Sequence, residues 1–155
     1  MTPQFYLFIA TWFGVGKLPK APGTWGSLAA IPFWFFFLHP LGIEPYFAAL
    51  VAVTFLGWFA SYEILKKTDE KDPHYIVIDE VVGMWIALIP AATLQEVILA
   101  FVLFRLFDIW KPWPISWADQ LEGSPGLTAW AVMLDDIIAG FITLLLILLL
   151  KVIIW

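Results

Sequence analysis

The stretch IVIDEVVGMWIALIP, residues 76–90, decides the fold. It is an apolar run that carries two adjacent carboxylates, Asp79 and Glu80, about one turn inside its start. A charged side chain well inside a bilayer costs at least ~2.5–3.5 kcal/mol on insertion scales, so acids in such a run point to function. The pattern returns twice. Residues 101–110, FVLFRLFDIW, set Arg105 and Asp108 in apolar surroundings, and the only charges of the hydrophobic run 128–150 are Asp135 and Asp136.

Composition places the chain in the membrane class. Apolar residues make up 62% of the 155 and charged residues 14%, against roughly 45–50% and 25% in soluble domains. The length suits one membrane-embedded domain over residues 1–155. The absence of cysteine excludes disulfides, thiolate metal sites and a cysteine nucleophile. A net charge of -5 argues against nucleic acid as a partner. Residues 1–13 lack the positive leader and small-residue cleavage site of a signal peptide, so we expect them to be retained.

The expected fold is all-α, a polytopic integral membrane bundle of five to six short hydrophobic helices, some re-entrant or interfacial. Residues 1–13 form a helix too short for a hydrocarbon core that needs about 20 helical residues. Residues 14–26, GVGKLPKAPGTWG, read as a turn-rich loop broken at Pro22-Gly23, with Thr24 or Ser27 capping a helix over 28–38. Helices follow over 46–65, from 76, over 97–110 and from 128, with a short turn at 93–96. Pro112 disfavours helix at Lys111, and residues 111–127 read as a Trp- and Pro-rich connector for the lipid–water boundary. One faint internal echo is present: Asp79 stands four residues before Gly83, as Asp136 stands four before Gly140.

Topology then gathers the acids. The segments carrying Lys17, Lys20, Lys66, Lys67, Lys71, Arg105 and Lys111 hold seven of the eight basic residues, while residues 39–45 and 93–96 hold none. The positive-inside rule assigns the first group to the cytoplasm. Threading the helices accordingly puts Asp79 and Glu80 at one cytoplasmic helix start, Arg105 and Asp108 at a cytoplasmic helix end, and Asp135 and Asp136 about two turns from another start. Every charge within an apolar run except Lys151 falls on one side, as a single site opening to the cytoplasm requires.

Several carboxylates packed at low dielectric repel, and a divalent cation between them makes their ionised forms tolerable. All-oxygen ligands favour Mg²⁺ or Mn²⁺ over zinc. Arg105, one turn before Asp108, offers the planar fork that matches a phosphate. Thr24 and Ser27 sit where a helix start can present hydroxyls and amides to an anion. Together these groups spell metal-assisted phosphoryl chemistry on a lipid headgroup. The plain alternatives are helix-dipole partners at Asp79 and Glu80, an intrahelical ion pair at Arg105 and Asp108, a snorkelling Lys111 and ordinary caps at Thr24 and Ser27. His39 and His74 are unconvincing bases, and Asp69, Glu70 and Asp72 read as a solvated loop in which only Asp72 merits testing.

Four blocks, PGTWGSL (22–28), IVIDEVVGMW (76–85), FRLFDIWKPWPI (104–115) and MLDDIIAG (133–140), resemble the signature blocks of the phosphatidylglycerophosphatase A family, in order and over nearly the whole chain. The resemblance implies a Mg²⁺-dependent multi-pass phosphatase of the bacterial inner membrane that converts phosphatidylglycerophosphate to phosphatidylglycerol and phosphate. It implies acidic motif residues at Asp79, Glu80, Asp108, Asp135 and Asp136, basic ones at Arg105 and Lys111, and a glycine-hydroxyl turn at Gly23, Thr24, Gly26 and Ser27. The loop acid ahead of the second block corresponds to Asp72. The working assignment has Glu80, Asp108 and Asp136 holding metal with Asp79 and Asp135 in either shell. Asp79 or Asp135 accepts the proton of the attacking water, and Arg105, Lys111 and the glycine-hydroxyl turn take the phosphate. An ion- or proton-coupled transporter also buries carboxylates, but its site belongs near the midplane with access from both sides.

Overall fold

Ten of the eleven residues of the helix that begins at Ile78 are buried, all but Glu80. A helix apolar on every side has to be enclosed by others. In the computed structural model, which describes the backbone of residues 2–154 and the side chains of residues 2–153, the enclosure consists of helices alone. Among the described residues the α-helices are α1 (Pro3–Ala10), α2 (Pro22–Phe33), α3 (Ile43–Leu65), α4 (Ile78–Leu88), α5 (Leu94–Trp110), α6 (Ile115–Asp119) and α7 (Pro125–Ile154), and no strand occurs. The seventh, beyond the expected five to six, is the single short turn α6 inside the 111–127 connector. Two helices, α3 and α7, are long and apolar enough to cross a membrane.

Helix α4 is the axis. Helices α2 and α7 run alongside it in the same direction, and α3 and α5 run against it. Trp85, fully buried, shows why the arrangement is unique: its indole donates to the Ala30 carbonyl of α2 at 3.1 Å, and its own carbonyl accepts from the Tyr46 hydroxyl of α3 at 2.6 Å. Phe33 stacks on the same ring and Trp12 meets it edge-on, both at 5.4 Å between centroids. One residue thereby registers two helices, α2 and α3, and the N-terminal segment against α4.

The closest approach is between α4 and α7. A Cβ added at Gly83 would lie 2.6 Å from the backbone oxygen of Asp136, and one added at Gly140 would collide with the Gly83 carbonyl. The sequence echo of an acid followed four residues later by glycine is therefore a helix crossing: the glycines form the contact, and the acids one turn earlier lie on the same faces.

Three expectations are corrected. Helix α2 begins six residues earlier than read, because Pro22 sits at its first position, where a fixed φ and a missing donor favour initiation. Thr24 and Ser27 lie within the helix and cap nothing; the Ser27 hydroxyl donates to Gly23 O four residues back. Pro32 falls near the end of α2, cannot donate to the carbonyl of Leu28, and the chain widens into a π-turn over Trp34–Leu38. Residues 93–96 are no turn, since Thr93 and Glu96 form a reciprocal capping box that starts α5. Helix α1 has only eight residues, about 12 Å at ~1.5 Å per residue. After it the chain reverses through left-handed Trp12, Phe13 and Gly14 and returns past Tyr75, against whose carbonyl Gly16 is pressed. Residues 3–17 thus enter and leave at the acid-bearing end.

Replacing Gly140 with Val should wedge α4 from α7, an overpacking that costs about 1–3 kcal/mol. Thermal unfolding of the purified variant in detergent reads the loss, and a variant as stable as its parent would show that the helices do not touch there.

Candidate active site

The first turn of α4 presents Asp79 and Glu80, and the facing turn of α7 presents Asp136. Because the glycine crossing lets the two backbones meet one turn away, the three acids come together: one oxygen from each lies within 4.8 Å of the others. Asp136 is only 2% exposed and Asp79 only 7%, so water does little to screen their repulsion. Asp79 Oδ1, Glu80 Oε2 and Asp136 Oδ1 are buried and find no hydrogen-bond partner among the described residues. A buried acceptor without a partner costs about 1–3 kcal/mol, more when charged. Three such oxygens converging from two helices make an all-oxygen donor set for a hard divalent cation, so Asp79, Glu80 and Asp136 fit the expected Mg²⁺.

The other two acids of the motif set are placed differently. Asp108 accepts from Arg105 Nη1 at 2.5 Å across one turn of α5. Asp135 Oδ2 accepts from Lys111 Nζ at 2.5 Å, and its Oδ1 accepts from the Asp136 amide at 2.9 Å. Lys111 leaves α5 in a left-handed conformation with φ 47°, and its ammonium bridges Asp135 to Asp119 of α6 at 2.6 Å. Burial works against that charge, but Asp135 and Asp119 outweigh it and hold the lysine pKa above its ordinary range. Thus each basic residue of the motif set is matched to an acid, while Asp79, Glu80 and Asp136 have one another.

These side chains line a cavity of 210 Å³ together with Asp72, His74, Ile76 and the chain from Ala21 to Gly23. A Cβ at Gly23 would run into Glu80 Oε1 and lie 3.3 Å from Arg105 Nη1, so any larger residue there displaces the Glu80 carboxylate. Of the expected glycine-hydroxyl turn, only Gly23 reaches the cavity. The amides of Thr24 and Trp25 are bonded to the Ala21 carbonyl, Gly26 packs on Val77, and Ser27 is met by Arg105 Nη1 at 3.5 Å. Of the loop acids, Asp72 lines the cavity, whereas Asp69 and Glu70 line a separate one with Lys71 and Glu122. His74, set aside on sequence, lies in the wall, carried there with Asp72 by the turn in which the Ile76 amide bonds to Pro73 O. His39 is remote, packed edge-on against Trp34.

The model of the phosphatidylglycerophosphatase A family matches residues 8–151. Phosphatidylglycerophosphatase A of Escherichia coli (strain K12) is 41% identical over 138 residues, spanning 87% of this chain and 77% of the relative. The Haemophilus influenzae protein of the same name is 37% identical over 135 residues, 85% and 80% of the two chains. A Bacteroides thetaiotaomicron protein named provisionally as a phosphatidylinositol-3-phosphatase is 38% identical over 154 residues, 94% and 93%. No solved structure matches.

Replacing Lys111 with Met would strand the Asp135 carboxylate in the wall. Removing one partner of a buried pair costs 3–5 kcal/mol, and the partial exposure of Lys111 puts the expected loss near about 3 kcal/mol. Adding Asp135→Asn should restore most of it, as read by unfolding in detergent. A double variant no more stable than Lys111→Met would mean that the pair is not what holds Lys111.

Proposed function

The chain belongs to the phosphatidylglycerophosphatase A family, and from that premise we propose that it hydrolyses phosphatidylglycerophosphate to phosphatidylglycerol and phosphate. In this reading it is a single-domain, multi-pass protein of the bacterial cytoplasmic membrane, with Mg²⁺ held by Asp79, Glu80 and Asp136 in a site facing the cytoplasm. The observation that carries the proposal is the cluster of Asp79, Glu80 and Asp136, each with a buried partnerless oxygen and with one oxygen of each within 4.8 Å of the others, lining one cavity with Arg105. When bound, the ion supplies a Lewis acid for the phosphoryl oxygens and eases the deprotonation of water.

The remaining work falls to the chain. Arg105, whose Nη1 is held by Asp108 and Ser27, lines the cavity and offers its guanidinium to charge on the phosphoryl oxygens. Both oxygens of Asp135 are engaged by Lys111 and the Asp136 amide. Of the two acids put forward to accept the proton of water, Asp79 is therefore favoured, through the carboxylate oxygen not given to the cation. Attack of the water oxygen on phosphorus forms one P–O bond and breaks the bond to the glycerol oxygen, which leaves as a hydroxyl with the proton that Asp79 took from the water.

Membrane integration is supported by the length and apolarity of α3 and α7. The cytoplasmic orientation is supported by the position of Lys17, Lys20, Lys66, Lys67 and Lys71 in loops at the acid-bearing end. That same one-sided placement weighs against the transporter, whose site needs access from both faces.

Phosphate release from phosphatidylglycerophosphate by the purified protein should vanish in excess chelator and return with Mg²⁺; undiminished turnover in chelator would remove the metal from the mechanism. Phosphatidylinositol 3-phosphate, run in parallel, tests the headgroup suggested by the Bacteroides relative's name, since both are lipid phosphomonoesters. The absence of native cysteine makes orientation simple to read: Lys67→Cys should label from the cytoplasm and Gly42→Cys from the opposite face. Labelling of both from one side would overturn the topology.

A further inference from the structure

Beside the acid-lined cavity lies a larger groove of 670 Å³, walled by Leu7 and Tyr75 and flanked by Lys17 and Lys20. Pro22 and His74 belong to both, so the two spaces share a wall. That wall is the turn at Lys20 and Ala21, both left-handed with φ 63° and 49°, a conformation that non-glycine residues keep only where surrounding structure imposes it. The turn sets Lys20 on the groove and Gly23 on the acid cavity.

The charges of the two spaces differ in kind. In the acid cavity, Arg105 is paired with Asp108, and Lys111 with Asp119 and Asp135. Lys17 and Lys20 are exposed and form no ion pair among the described residues. They are the uncommitted cations closest in sequence to the shared wall, and the surface behind them is largely apolar. A ligand for this groove needs an anionic group near an apolar body, attached to something that reaches the neighbouring cavity.

Resting on the proposed reaction, we infer that the groove holds the phosphodiester and the first apolar carbons of the lipid substrate, with Lys17 and Lys20 supplying the countercharge. The substrate carries two phosphates joined by one glycerol. Once the terminal phosphate lies in the acid cavity, the phosphodiester must lie one glycerol away, which is where the shared wall at Pro22 leads. The re-entrant N-terminal segment then has a purpose: it forms the far side of a slot through which a lipid reaches the site while its tails stay in the bilayer. Lys17 and Lys20 are positioning residues, acting on binding and not on the bond that breaks.

The test uses the full-length protein in mixed micelles, with phosphatidylglycerophosphate as substrate and two inhibitors. Phosphatidylglycerol keeps the phosphodiester and lacks the terminal phosphate, and inorganic phosphate is the reverse. In Lys17→Gln/Lys20→Gln, KM and the inhibition constant of phosphatidylglycerol should each rise about tenfold, the combined worth of two exposed charge contacts. The kcat and inhibition by inorganic phosphate should not change. Lys17→Arg/Lys20→Arg should behave as the parent, as should Lys66→Gln/Lys67→Gln, which removes equal charge from the same end without touching the groove's lining. Unchanged KM and phosphatidylglycerol inhibition in the first variant, or an equal rise in the Lys66/Lys67 variant, would overturn the inference. A parent that releases no phosphate from phosphatidylglycerophosphate would instead refute the proposed reaction.

Discussion

Two glycine backbones in contact, Gly83 on α4 and Gly140 on α7, set the position of the three-acid cluster. Parallel helices that meet without side chains between them can bring the preceding turns equally close, and those turns carry Asp79, Glu80 and Asp136. The favourable packing of the crossing and the unfavourable repulsion of the acids are therefore two results of one geometry. Packing beside it holds the repulsion in place: Trp85, two residues past Gly83 on α4, ties that helix to α2 and α3 by hydrogen bonds at both its indole and its carbonyl. A site built on a helix crossing is rigid where it needs to be, because its ligands cannot separate without breaking the core.

Charge at the acid-bearing end divides into matched and unmatched groups. Arg105 with Asp108, and Lys111 with Asp119 and Asp135, are closed pairs that shape the walls. The three-acid cluster is unmatched, and so are Lys17 and Lys20 on the other side of the Pro22 wall. Unmatched groups of opposite sign in adjoining spaces describe the two ends of a ligand: a cation with a phosphate on one side, and an anion with an apolar body on the other. At the opposite end of the bundle, by contrast, Glu96 is fully used, receiving the amides of Ala92 and Thr93 and pairing with Lys151. An acid there is structural, although its sequence surroundings are as apolar as those of Asp108.

Much of this was legible in the chain. The apolar run of residues 76–90 with its two acids reads as a helix, and the helix ending at Leu65 and the one ending at Trp110 end where the sequence places them. Starts were harder. Pro22 reads as a break beside Gly23, yet a proline at the first helical position begins a helix, and the T-x-x-E of Thr93 to Glu96 is a capping signal where the loop length suggests a turn. The spacing of acid and glycine in α4 and α7 was visible as an echo, but its meaning required the crossing. The sequence reading assigns Glu80, Asp108 and Asp136 to the metal with Asp79 and Asp135 in either shell; the fold instead gathers Asp79, Glu80 and Asp136 and sets Asp108 against Arg105 and Asp135 against Lys111. His74 gave no local signal, since its place in the wall depends on a turn at Pro73.

The central claim is that Asp79, Glu80 and Asp136 together bind a divalent cation. Mn²⁺ titration of the purified protein, followed by loss of the free-ion electron paramagnetic resonance signal, measures that binding without requiring turnover. The account predicts saturable binding in the parent, its loss in Asp136→Asn, and its retention in Asp119→Asn, where only a wall pair is altered. Binding that is absent in the parent, or equal in the parent and Asp136→Asn, would contradict it.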